Sequence, residues 1–131
     1  MIVLDTHVWV WLVSEPRRLS PTAQDAIRRA VGDRGLAIAS ISLWEVAMMM
    51  ARGTLLARGT PEASLRAMVD RSRVTIRDIS PDIAALATHL PADFPRDPAD
   101  RLIAATARAE GVPLVTRDER LRASPVIETI W

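Results

Sequence analysis

Four acids stand where apolar segments begin or end. Asp5 directly follows Ile2-Val3-Leu4, Glu45 closes Ser42-Leu43-Trp44-Glu45, Asp100 closes Asp97-Pro98-Ala99-Asp100, and Asp118 lies two residues after the apolar run ending at Thr116. Cysteine is absent and only two histidines are present, so neither a thiolate site nor a histidine cluster can form. Carboxylates gathered without such partners make an oxygen-donor site, which suits Mg²⁺ or Mn²⁺. Clustered acids otherwise repel and raise one another's pKa. Two cations about 3.5–4 Å apart can clamp the attacking and leaving oxygens of a phosphodiester. The chemistry predicted by this pattern is metal-assisted phosphodiester hydrolysis.

Each acid also has a plain structural reading. Asp97 suits an N-cap, with Pro98 at the first helical position and Asp100 facing the positive helix end. Ser42 to Glu45 fits the capping box S-x-x-E. Asp5 and Asp118 suit turn positions after strands. Singly, these readings are the stronger ones, and for Asp97 capping is favoured. It is the four acids together that point to chemistry.

The elements that must position them alternate between strand and helix. Strands are predicted at residues 2–4, 36–40, 74–79, 112–116 and 126–130. Between them, residues 7–14 read as a helix or turn, and helices are predicted at 21–31, 42–52, 61–72, 81–90 and 98–110. Ser20-Pro21, Thr60-Pro61 and Ser80-Pro81 each pair an N-cap hydroxyl with proline at the first helical position. Gly32, Gly53 and Gly111 mark stops. Strands separated by helices imply parallel βαβ units, hence an α/β fold: a three-layer α/β/α sandwich with a mainly parallel central sheet of about five strands.

Such sheets bind ligands outside the carboxyl ends of their strands. Asp5, Glu45 and Asp118 share that edge by connectivity alone. Asp100 joins them only if the Pro-rich loop before Pro98 brings its helix start to the same edge. Helical phase supports this, since Asp100 shares a face with Ile103, Ala104 and Ala107, leaving Arg101 and Arg108 on the solvated side.

The bulk properties narrow the classes. At 131 residues the chain is expected to be one domain over 1–131. With 49% hydrophobic and 25% charged residues it reads as globular. Net charge is only +1, yet all 17 basic residues are arginine. The absence of lysine excludes a P-loop, a Schiff-base enzyme and a phospho-receiver. A coding bias is the favoured reading of the arginine excess, and phosphate contact, which arginine forks suit, is compatible with it. Arg96, Arg101, Arg117 and Arg120 are expected to flank the acids, some contacting phosphate with Arg117 best placed, or else pairing with the acids or a partner protein, or standing in solvent. No apolar run reaches about 18 residues, so no membrane span is predicted. The first residues lack a signal peptide's basic region, and a cytoplasmic location is expected.

The segments "IVLDTHVWVW", "SISLWEVAMM" and "RDPADRLIAATARAEGVPLVTRD", in this order, resemble the PIN domain, and within it the VapC-type ribonuclease toxins of bacterial toxin–antitoxin pairs. The resemblance covers essentially the whole chain. It implies that Asp5, Glu45, Asp100 and Asp118 are the catalytic acids, with Asp5, Asp100 and Asp118 binding Mg²⁺ or Mn²⁺. Thr6 and Thr116 match supporting hydroxyl residues. Asp97 fits a family variant, as a ligand, a cap or a support to the ligands. The resemblance further implies an RNA substrate, a cognate antitoxin protein and a homodimer, and it brings the helix carrying Asp100 to the metal edge.

His7 departs from the Ser or Asn common at its position, and a hydrogen bond to a backbone carbonyl is the favoured reading over phosphate or metal-water contact. Trp9, Trp11 and Trp44 are expected in the core or an interface. Met48-Met49-Met50 cannot all face one core. The competing functional reading is a catalytically inactive PIN-like protein-binding module.

Overall fold

The computed structural model describes residues 1–131. Five strands form one sheet: β1 (Ile2–Leu4), β2 (Leu36–Ala39), β3 (Thr75–Arg77), β4 (Leu114–Val115) and β5 (Thr129–Ile130). The order is β3-β2-β1-β4-β5, and every pairing is parallel. Helices occupy α1 (Thr6–Ser14), α2 (Pro21–Val31), α3 (Ile41–Ala51), α4 (Pro61–Ser72), α5 (Pro81–Thr88), α6 (Pro98–Glu110) and α7 (Glu119–Arg122).

Alternation along the short strands splits the core into two faces. Ile2, Leu4, Leu36 and Ile38 pack with Val8 and Trp9 of α1, Ile27 of α2, Val46 of α3 and Met68 of α4. Val3, Ala37, Ala39 and Leu114 face the opposite layer, against Ile103, Ala104 and Ala107 of α6 and Leu121 of α7. The central strands are buried on both faces, as a parallel sheet covered by helices requires. Helix α5 lies outside α6, its Ile83 and Ala87 packing on Ala105.

The three Ser/Thr-Pro starts cap as their sequence predicts. Ser20, Thr60 and Ser80 accept the N–H of Ala23, Ala63 and Ile83 at 3.0, 3.1 and 3.2 Å. Gly111 ends α6 at φ 65°, a left-handed conformation that suits glycine at this position. β1 has its expected length, and the other four strands are shorter than expected because ladder bonding spans only part of each apolar run.

Two expectations need correction. Helix α3 begins at Ile41, behind Ser40, whose side chain makes no capping bond. Ser42 therefore lies inside the first turn and Glu45 in the second, and no capping box forms. A short helix, α7, and a 3₁₀ turn at Pro16–Arg18 were not anticipated; both are too short to carry a periodic pattern.

Candidate active site

Strand β1 has β2 on one side and β4 on the other, so the chain winds away from it in both directions. This is the switch point at which open α/β sheets form their ligand crevice. A cavity of about 340 Å³ lies there, lined by Asp5, Glu45, Asp100 and Asp118 among others. All four sequence-selected acids thus come to one place.

Asp5 ends β1 and caps α1, its Oδ1 accepting the Thr6 N–H at 2.8 Å. Its Oδ2 accepts the Thr116 hydroxyl at 2.7 Å, and the carboxylate is buried. The Thr6 hydroxyl donates to Glu45 Oε1. A hydroxyl has one proton, so the Ser42 hydroxyl, 2.8 Å away, must be the donor to Thr6. Ser42 thus serves a chain of hydroxyls leading to Glu45 instead of a helix cap. Burial raises the Glu45 pKa; the Thr6 hydrogen bond opposes this, and Asp5 and Asp97 add to it.

Asp100 sits in the first turn of α6, behind Asp97, whose Oδ1 caps the helix by accepting the Ala99 N–H at 3.1 Å. Ile103, Ala104 and Ala107 are fully buried, so the apolar face does turn inward and carries Asp100 with it. The preceding loop is fixed by buried Leu90 and Phe94. Burial, then the charges of Asp97, Asp5 and Asp118, push the Asp100 pKa up to about 7, against the pull of Arg120.

Asp118 caps α7, accepting the Arg120 N–H at 2.9 Å, and donates its own N–H to Thr116 Oγ1 at 3.0 Å. The Arg120 guanidinium reaches Asp118 Oδ2 at 3.1 Å and lies 3.6 Å from Asp100 Oδ2. Desolvation works to raise the Asp118 pKa, but the Arg120 hydrogen bonds outweigh it and hold the carboxyl below its ordinary value. In this arrangement no three of the acids converge closely enough to enclose one ion. The donors are of the right type for a hard cation, with Asp118 engaged by Arg120.

His7 corrects an expectation. Its Nε2 accepts the Arg117 N–H at 3.3 Å, so its partner is an amide and not a carbonyl. An accepting Nε2 places the proton on Nδ1 of the neutral ring. Nδ1 lies 3.6 Å from Asp5 Oδ2. Of the four arginines expected around the acids, Arg120 pairs with them, Arg117 is exposed beside His7, and Arg96 is exposed near the start of α6. Arg101 points elsewhere, donating to the Ala87 and Phe94 carbonyls at 3.3 and 3.4 Å. It ties the loop to α5. Arg108 is exposed as predicted.

Sequence reasoning missed part of the cavity wall: Trp44, Met48, Met49, Arg52 and Thr54. Glu45, Met48, Met49 and Arg52 recur at i, i+3, i+4 and i+7, a spacing that puts them on one face of α3 and was open to reading. Met49 and Met50 also pack on the core, while Trp9 is buried and Trp44 is 59% exposed.

An open parallel sheet that gathers acids from four elements at its switch point defines a carboxylate-site α/β protein. The chain belongs to the PIN domain family, whose profile matches residues 2–125. It is 40% identical to Ribonuclease VapC22 of Mycobacterium tuberculosis (strain ATCC 25618 / H37Rv) over 132 residues, covering 99% of this chain and 98% of the relative. Among solved structures, its fold matches VapBC2 from Rickettsia felis bound to a promoter DNA fragment, with TM-score 0.72 and 22% identity over 98% of this chain and 97% of that one. It also matches DNA-bound VapBC from Salmonella typhimurium, with TM-score 0.72 and 19% identity over 98% and 95% of the respective chains. No helix is long and apolar enough to cross a membrane.

Proposed function

We propose that this chain is an endoribonuclease, the toxin of a toxin–antitoxin pair, hydrolysing RNA phosphodiester bonds with Mg²⁺ or Mn²⁺. The observation that carries the reading is the joint lining of one cavity by Asp5, Glu45, Asp100 and Asp118. The relative named a ribonuclease and the toxin–antitoxin complexes among the structural neighbours support it. Asp5, Asp100 and Asp118 are the proposed metal ligands, and Asp97 is the helix cap beside them. When bound, the cation would activate water and offset charge on the phosphate.

The chain's own residues prepare that chemistry. Thr116 and the Thr6 amide fix the two oxygens of Asp5. Thr6 and Ser42 fix Glu45, whose raised pKa suits a carboxyl that takes a proton from water. We further propose one catalytic domain spanning 1–131, active in the cytoplasm, dimeric, and held in check by a cognate antitoxin protein.

RNA cleavage in Mg²⁺ or Mn²⁺, repeated with EDTA and with Asp5→Asn, tests the reading. Cleavage abolished by both treatments is expected. A folded wild-type protein that cuts no RNA with either metal would favour the inactive binding module instead.

A further inference from the structure

A second groove, of about 560 Å³, adjoins the acid-lined cavity and shares His7 and Asp118 with it. Trp11, Arg117, Glu119, Arg122 and Trp131 complete its lining. The Trp11 and Trp131 rings meet at 5.9 Å between centroids, tilted by 55°. His7 stands edge-on to Trp11 at 4.9 Å. Both tryptophans are half-buried and rest on the larger core cluster, so the rings are held in place by packing. The guanidinium of Arg18 lies 4.3 Å from the centre of Trp11, and that of Arg117 lies 5.9 Å away.

Arg117 and Arg122 of the lining have no carboxylate within 4.0 Å, while Asp118 is paired with Arg120 and Glu119 is the one unpaired acid of the lining. Arg18, outside the lining, lies over Trp11. Free guanidinium groups beside flat, fixed aromatic rings form the combination that binds single-stranded nucleic acid, with phosphates on the arginines and bases on the rings. The only apolar residues of the lining are these two tryptophans. A peptide helix would need a row of aliphatic pockets, which the groove lacks.

We propose that this groove is a nucleotide subsite for the RNA strand cut at the acid cavity. The base of a nucleotide next to the scissile phosphate stacks on Trp131, which Trp11 props from one side, and Arg117 and Arg122 hold its phosphates. His7, common to both depressions, marks the path of the strand between them. The subsite rests on the nuclease reading above. It adds stacking to a chain with one phenylalanine and no tyrosine.

Binding of a fluorescein-labelled, random-sequence RNA decamer, measured in EDTA so that the strand stays intact, tests the assignment. Trp131→Ala should weaken binding about tenfold, while an abasic ribose-phosphate decamer should bind both proteins alike. Trp131→Phe should keep most of the affinity, and Phe against Leu at this position makes the same comparison if Trp131→Ala fails to fold. Arg117→Gln with Arg122→Gln should weaken both strands and lower the salt slope by about two phosphate contacts. In Mn²⁺, Trp131→Ala should raise KM and leave kcat near wild type. RNA affinity unchanged in folded Trp131→Ala, or equal loss on the abasic strand, would overturn the subsite and return the groove to protein contact. If the binding pattern holds but wild type cleaves no RNA, the nuclease reading fails and takes the subsite's link to cleavage with it, and the groove is an RNA-binding site alone.

Discussion

Thr116 donates its hydroxyl proton to Asp5 Oδ2 at 2.7 Å and accepts the Asp118 N–H at 3.0 Å. One buried side chain just beyond β4 therefore orients acids that follow two neighbouring strands. Thr116→Val keeps the shape and removes the hydroxyl, leaving a buried Asp5 oxygen without its donor. A stability loss of about 1–3 kcal/mol is expected, read from chemical denaturation. Metal affinity and cleavage should fall about 10–100-fold, as for other groups that orient metal ligands. Thr116→Ser should recover most of both. Wild-type Mn²⁺ affinity in the valine variant would show that Asp5 needs no such support.

The pKa of Asp100 makes stability and metal binding depend on pH in opposite senses. Its folded value of about 7 lies above the ordinary aspartate value of 3.8. The folded state therefore binds this proton more tightly than the unfolded chain does. The resulting stability is fully present below the unfolded pKa and is lost as pH rises from about 4 through about 7. In EDTA the melting temperature should decline across this window, and Asp100→Asn, which mimics the neutral acid, should flatten the decline. A cation needs the ionised form, so Mn²⁺ affinity should climb with pH and level off above about 7. A wild-type melting curve indifferent to pH in this range would contradict the buried, charge-crowded setting of Asp100.

Asp97 is exposed and caps α6 through its Oδ1, yet its charge is also felt by Asp100 and Glu45. Asp97→Ser should keep the cap, and Asp97→Ala should cost about 1 kcal/mol of stability. Both should lower the Asp100 pKa by removing a neighbouring negative charge. Titration of the Asp100 carboxyl by NMR, alongside thermal melts, separates the two effects. An Asp100 pKa unmoved in Asp97→Ser would confine Asp97 to capping.

The difference between Asp97 and Ser42 shows what a sequence can and cannot disclose. Both fit a capping pattern. Asp97 fulfils it because Pro98 forces an extended residue before the helix, a strictly local effect. Ser42 does not, because α3 begins one residue earlier at Ile41, and its hydroxyl meets Thr6 on another element. The sheet, its layers and the proline-led helices were legible for the same local reason. The inward turn of Asp100 was legible from helical phase, but its arrival at the β1 edge depended on a loop anchored by Leu90, Phe94 and Arg101. Helix α7 was hidden because four residues carry no period. It carries Arg120, expected beside the acids, to within 4 Å of two of them.

That placement of Arg120 carries the last prediction. Its guanidinium contacts Asp118 at 3.1 Å and Asp100 at 3.6 Å while its side chain is 68% exposed. An exposed ion pair contributes little to folding, so Arg120→Gln should leave stability near that of wild type. Its electrostatic effect should be larger. With the guanidinium gone, Asp118 loses its side-chain hydrogen bonds and the positive charge that help hold its pKa down, keeping only those from the backbone, and Asp100 loses its one opposing influence. Both acids should then hold protons more tightly. At mildly acidic pH the variant should bind Mn²⁺ more weakly than wild type. At mildly alkaline pH both carboxylates are ionised in either protein, and the guanidinium no longer competes for them. There the variant should bind Mn²⁺ several-fold more tightly. Calorimetric titrations across this range should yield two affinity curves that cross. Parallel curves would mean that the arginine neither competes with the metal nor tunes the acids it touches.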